Sequence, residues 1–230
     1  LIPLRDTIPS RTAPVITVSL IIVNVIAFLH ELSLGDALAA HLNTFAVVPA
    51  KSFSLLAQGH YLPGGLPFLT AMFLHGDWWH LIGNMLYLWI FGDNVEDLMG
   101  HARYLLFYLL CGMGSALAHA VSAAQSTLPS LGASGAIAGV LGAYILLFPR
   151  SRVVTLLPIF FFIQFVEIPA VFFLGIWFLI QLTSGISSLG GVHTVSGGVA
   201  WWAHIGGFVL GMVLVPIFTA GQKRRRAVFL

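Results

Sequence analysis

Long apolar runs separated by short polar clusters dominate the chain. A membrane-spanning helix needs about 20 mostly apolar residues. No formal charge lies between Arg11 and Glu31, which predicts a first span over residues 13–30. Residues 34–74 are mixed, with Asp36, Asn43, Lys51, Gln58 and several glycines and prolines. They predict a long loop, extending to residue 77, with short interfacial helices. A second span covers residues 78–95 and is ended by Asp93, Glu96, Asp97 and Gly100. The third covers 104–124, and the QSTLPS run at 125–130 is a turn. The fourth, 134–148, is short and stops at Pro149-Arg150-Ser151-Arg152. Residues 153–166 are apolar but contain Pro158 and Gln164 and end at Glu167, so they read as an interfacial connection. A fifth span covers 168–183, and a Gly/Ser/Thr-rich linker follows to Gly198. The sixth covers 199–219 and leads into Lys223-Arg224-Arg225-Arg226.

Composition supports the bilayer as solvent. Of 230 residues, 58% are hydrophobic and 8% charged, against about 25% charged in a soluble domain. Mean hydropathy is +0.96. These values exclude an ordinary cytosolic enzyme, a disordered protein and a nucleic-acid binder. The single cysteine, Cys111, excludes an intrachain disulfide framework and a cysteine-based zinc site. With leucine rather than methionine first, the sequence reads as a processed or trimmed chain, and it shows no cleavable signal pattern.

Charge placement sets the topology. Arg5 and Arg11 precede the first span, Arg103 separates the second from the third, and Arg150 and Arg152 separate the fourth from the fifth. With the tail, all of these fall on one side of a six-span model, and Lys51 alone falls on the other. By the positive-inside rule both ends are cytoplasmic. The reading is an all-α membrane protein: a cytoplasmic segment at 1–12, a six-transmembrane-helix bundle at 13–219 and a basic cytoplasmic tail at 220–230. The pattern fits a bacterial plasma membrane.

Polar exceptions inside apolar spans carry the information about function. The second, fourth and sixth spans all run inward from the outer side. Each carries its unusual polar residues in its first turns: His80 and Asn84, then Ser134, then His204. His80 and Asn84 are four apart and share a helix face. Ser134, Ala138 and Gly142 form a small-residue stripe, and His204, Gly207 and Gly211 form another. Such faces let membrane helices approach closely, which a short serine side chain needs if it is to meet a histidine on another helix.

The chemistry that fits is a serine nucleophile with a histidine base. No acid is available in the fourth or sixth span to orient His204, so the arrangement is a dyad, unlike the three-residue template. Asn84, the His80 ring N–H and the Ser134 backbone N–H are candidate oxyanion donors. Taken singly, a serine in a Gly/Ala run is commonly a packing residue, and an intramembrane histidine can be an interhelical strut. Convergence at one depth shifts that balance. A proton or ion path needs ionisable groups at several depths, and the span centres have none. Glu31, Asp93, Glu96, Asp97 and Glu167 lie at span ends and read as interfacial. His30, His41, His60, His101 and His119 read as interfacial or loop residues without a role.

Three motifs together resemble the rhomboid intramembrane serine proteases: His75-Gly76-x-x-x-His80-x-x-x-Asn84, Gly132-x-Ser134-Gly135, and Ala203-His204-x-x-Gly207-x-x-x-Gly211. Val47-Val48-Pro49 in the first long loop is similar to that of bacterial members. The chain departs from many members in lacking a Trp-Arg pair in that loop, since Trp78 and Trp79 follow it. The resemblance implies a serine endopeptidase with Ser134 as nucleophile, His204 as base, and His80 and Asn84 as oxyanion donors. It gives Gly132 the tight turn before the nucleophile, His75 a loop-bracing place, and Gly207 and Gly211 packing places. It implies a water-filled cavity open to the outer side, with the fifth span as a lateral gate and the following linker as a cap. Substrates would be membrane-anchored proteins with helix-destabilising transmembrane segments. No metal or organic cofactor is implied, and no nucleic acid. A catalytically dead relative that binds membrane clients typically loses the serine or the histidine, and this chain keeps both. A small channel or transporter is the other competing class.

Overall fold

The computed structural model describes residues 2–159, 162–189 and 200–221. Six long helices form the bundle: α1 (Val15–Ser33), α6 (Trp78–Met99), α7 (His101–Ser122), α8 (Ser134–Leu147), α9 (Ala170–Leu189) and α10 (Trp201–Phe218). The first long loop folds into four short helices, α2 (Leu38–Phe45), α3 (Pro49–Ala57), α4 (Tyr61–Gly65) and α5 (Pro67–Thr70). Four of the long helices are long and apolar enough to cross a membrane, and α8 is a shorter apolar helix. The chain is a multi-pass helical membrane protein. The linker at 190–198 and the Lys223–Arg226 tail lie outside the described residues.

α8 is the axis. Residues 135–144 of it are all buried, and it packs against α6, α7 and α10. That burial depends on glycine. An added Cβ at Gly207 would lie 2.0 Å from the Gly135 carbonyl oxygen, at Gly211 2.1 Å from that of Gly139, and at Gly142 2.1 Å from that of Phe208. α8 and α10 therefore touch backbone to backbone, as the two small-residue stripes predict.

Acidic residues knit the end that carries Arg103, Arg150 and Arg152. Thr17 and Ile16 open α1, where amides have no intrahelical acceptor. The Glu96 carboxylate on α6 accepts both, at 2.8 Å each, and also meets His101 Nδ1 at 2.5 Å. Asp97 accepts from the Thr12 amide and hydroxyl at 3.1 and 2.6 Å. Glu31 and Glu96 sit at span ends, as expected, but inside the protein rather than at its surface. Glu96 is fully buried and Glu31 nearly so; Glu96 accepts from amides distant in sequence, and Glu31 Oε2 accepts from the His75 amide. α6 accordingly runs on to Met99, and Gly100, with φ 82°, ends it.

The connection over residues 153–166 is built from β-strands. β2 (Arg152–Ile159) and β3 (Phe162–Pro169) form an antiparallel hairpin, and β1 (Ile2–Asp6) adds to β2. The segment is rich in valine, isoleucine and phenylalanine, which suit a pleated surface. Pro3, Val153 and Thr155 are buried, whereas Ile163 and Phe165 on the opposite face are exposed. Asp6 seals the sheet to the bundle, accepting from Asn94 Nδ2 at 2.8 Å and from the Tyr144 hydroxyl at 2.5 Å.

The linker expected to start after Thr183 begins later, because α9 continues to Leu189. Gly185 is a packing residue rather than a turn residue: a Cβ there would lie 2.9 Å from Ile205 Cδ1.

Candidate active site

Ser134 opens α8, and His204 lies in the first turn of α10. His204 Nε2 meets Ser134 Oγ at 2.7 Å. Two helices start at this end of the bundle, and the glycine contacts below bring their first turns together. The other imidazole nitrogen, Nδ1, meets Gln181 Oε1 on α9 at 2.7 Å. An Nδ1–H donating to that carbonyl leaves Nε2 free to accept from the serine hydroxyl. Trp177, one turn before Gln181, lies beside the same imidazole with ring centroids 5.8 Å apart.

His80 and Asn84 come from the first turns of α6, which Asp77 caps by accepting from the His80 amide at 2.9 Å. His80 Nδ1 receives a long contact from the Gly76 amide at 3.5 Å, which leaves Nε2 to carry the ring proton. Gly132, at φ 127°, holds a backbone shape that side chains resist. Its missing side chain matters more. A Cβ there would lie 2.7 Å from His80 Nε2 and 3.7 Å from Ser134 Oγ. The glycine thus lets the His80 ring come close to the serine.

Asn84 Nδ2 lies 3.0 Å from His75 Nε2. Burial, with His80 beside it, pushes the His75 imidazole down to about 4, so its ring is neutral and Nε2 can accept. The His75 backbone amide donates to Glu31 Oε2 at 3.1 Å. His75 therefore ties the end of α1 to the loop and to α6, in keeping with a bracing place.

A small cleft adjoins the serine, lined by Ser134, Gly132, Ser115, Ala116, Met72 and Ala203 among others. The first loop reaches its rim. Val47 and Ser130 exchange backbone hydrogen bonds at 3.0 and 2.8 Å, and the Ala50 amide donates to the Ser126 carbonyl at 3.0 Å. Those bonds pin the loop to the α7–α8 connection without a Trp-Arg pair. Among the described residues no group of acidic, histidine or cysteine side chains is arranged to hold a metal ion.

The structure brings Ser134, His204, His80 and Gly132 around one space, with Asn84 and His75 paired beside it. Gln181 and Trp177 were missed in the sequence. Gln181 is the amide in an otherwise apolar stretch of the fifth span, so the rule that singled out the polar residues of three other spans applies to it equally.

Comparison with known proteins places the chain in a family. A model of the Rhomboid domain matches residues 64–221. The chain is 29% identical over 176 residues to Rhomboid protein 1, mitochondrial, of Saccharomyces cerevisiae, covering 75% of this chain and 47% of the yeast protein. It is 40% identical over 116 residues to Rhomboid protease GluP of Bacillus subtilis, covering 50% of this chain and 21% of that protein. It is 32% identical over 197 residues to Rhomboid-like protein 11, chloroplastic, of Arabidopsis thaliana, covering 84% of this chain and 64% of that protein. The chain spans less than two thirds of the length of each. Because the domain match runs from the first loop through the last helix, over more than half of the sequence, the chain belongs to the rhomboid family.

Proposed function

We propose that this protein is an intramembrane serine endopeptidase working through a Ser134–His204 dyad. The observation that carries the reading is the 2.7 Å contact between Ser134 Oγ and His204 Nε2, made between two helices of a membrane bundle. Ser134 Oγ attacks the scissile carbonyl carbon and His204 Nε2 takes its proton. Negative charge develops on the carbonyl oxygen. That oxygen is met by His80 Nε2–H, Asn84 Nδ2 and the Ser134 backbone N–H as donors. Collapse breaks the C–N bond, and Nε2–H protonates the leaving amine. Water, deprotonated by His204, then hydrolyses the acyl-serine.

Substrates on this reading are membrane-anchored proteins whose transmembrane segments unwind locally, because an intact helix shields its own peptide bonds. The small residues of the cleft favour a small side chain next to the cleaved bond. α9 is the lateral wall through which a substrate enters. The Arg-rich end, with both termini, faces the cytoplasm, and the catalytic bundle occupies residues 13–219 between the terminal segments.

A fluorophosphonate with a reporter tag, applied to purified protein in lipid, is expected to modify Ser134 and to fail on Ser134→Ala. Cleavage of a transmembrane substrate should stop with the same variant. Cleavage that persists in Ser134→Ala rejects the dyad, and flux through proteoliposomes that persists there favours a channel. Orientation has its own test. After Cys111 is replaced, Ser134→Cys should react with a membrane-impermeant thiol reagent added outside, and reaction from the cytoplasmic side alone reverses the topology.

A further inference from the structure

The dyad has a third partner on a different helix. We infer that Gln181 is a positioning residue of the catalytic relay, holding the His204 imidazole in the tautomer that can accept the serine proton. The inference rests on the protease reading above. Gln181 Oε1 lies 2.7 Å from Nδ1, while Nε2 lies 2.7 Å from Ser134 Oγ, so both ring nitrogens are engaged at opposite ends. A neutral imidazole carries one proton. A carbonyl can only accept, so facing Nδ1 with Oε1 fixes the proton there and leaves a lone pair at Nε2. Gln181 is itself buried, at 6% exposure, and no water competes easily for its oxygen. Trp177, four residues earlier on the same helix face, covers the flank of the ring.

The choice of an amide follows from the solvent. A carboxylate at this position would stabilise the imidazolium formed during attack more strongly. It would also be a formal charge inside a membrane span, where it is costly even when paired. A carbonyl dipole gives the same tautomer and a weaker hold on the cation, with no charge to bury. His204 is then oriented in the resting enzyme rather than on substrate arrival.

Gln181→Met removes the acceptor and nearly preserves volume, and Gln181→Glu keeps a carbonyl oxygen in either protonation state. A neutral hydrogen bond corresponds to a rate change of about three- to tenfold. Gln181→Met is expected to lower kcat by about that factor with KM within about twofold, and Gln181→Glu to regain much of the loss. The rate of Ser134 modification by a small fluorophosphonate, which needs no helix to enter, should fall in step with kcat. Independently of turnover, ¹⁵N spectra of histidine-labelled wild type, assigned by His204→Ala, should show the proton on Nδ1. A proton on Nε2 in the wild type, an unchanged labelling rate in Gln181→Met, or a change confined to KM would each overturn the inference. A wild type that never labels at Ser134 instead rejects the protease reading, and the imidazole spectrum still decides the role of Gln181.

Discussion

The closest approach in the bundle is also the most sensitive. Replacing Gly207 by alanine adds one carbon at a point 2.0 Å from the Gly135 carbonyl oxygen and 3.3 Å from Ser115 Cβ. Non-bonded carbon and oxygen do not approach closer than 3.0 Å, and the obstacle is backbone, which cannot rotate aside. α10 must therefore retreat from α8 by about 1 Å at this level, at a cost of about 1–3 kcal/mol for overpacking. Gly135 follows the nucleophile directly, and His204 lies one turn before Gly207 on the same face. A retreat of about 1 Å stretches the 2.7 Å Ser134–His204 contact past the range of a hydrogen bond. A misplacement of that size costs about 10² in rate. Thermal unfolding in detergent micelles and substrate turnover in proteoliposomes should both report the change. Gly83→Ala is the control, because nothing lies within 4 Å of its added Cβ and alanine favours the helix. Wild-type melting and turnover in Gly207→Ala would refute the close-approach argument.

Ser134→Ala and His204→Ala should each abolish proteolysis with the bundle intact by circular dichroism, and the double variant should be no worse than either, since the two act as a unit; additive losses would separate them. Asn84→Ala should lower kcat by about 10² or less and KM little, as loss of one oxyanion donor does; a rise in KM with kcat unchanged would make Asn84 a binding residue. Burial, with Asp93 nearby, raises the Asp6 carboxyl to about 6 from its ordinary 3.8, so the folded chain holds that proton more tightly than the unfolded one. The stability this contributes is full below about pH 4 and is lost as pH rises through about 6. Asp6→Asn has no proton to lose, so its melting temperature should match the wild type near pH 4 and exceed it above pH 6.5; parallel pH profiles for the two proteins would contradict this.

Most of the bundle and the core of the site are written locally. Apolar runs of spanning length mark α1, α7, α9 and α10, and glycine spacing marks which faces of α8 and α10 meet. Ser134, His204 and His80 could be read together because each sits near the same end of its own span. What escaped detection depends on distant partners. Glu96 looks like the polar end of a helix until the amides of Ile16 and Thr17 arrive from some 80 residues away. The sheet pairs residues 2–6 with the strand beginning at Arg152, so the hairpin segment looked like a connection interrupted by Pro158. Gln181 looked like an incidental polar residue because its partner, His204, lies on the next helix.

The way each helix is fastened bears on which one can move. α1 is clamped to α6 by Glu96 and Asp97 at one end and by Glu31 and His75 at the other. α7 reaches the end of α10 through Arg103, which donates to the Ala220 carbonyl at 2.9 Å. α8 is joined to the sheet by Tyr144 and Asp6, and to α10 by backbone contact. α9 differs. Among the described residues its polar tie to another helix is the amide bond from Gln181; the rest is apolar packing, including Phe173 with Tyr87 and Phe91, Phe178 and Trp177 with Phe208, and Trp177 with His204. Aromatic pairs contribute about 0.5–1.5 kcal/mol each beyond area burial. In a bilayer, lipid chains replace much of the apolar contact that a displaced helix gives up. The Phe173 contacts lie on the α6-facing side of α9, whereas separating α9 from α10 would also release the base. On the proposed protease reading, a wall that opens on the α6 side and stays docked on the α10 side would admit a substrate helix while keeping His204 aimed at Ser134.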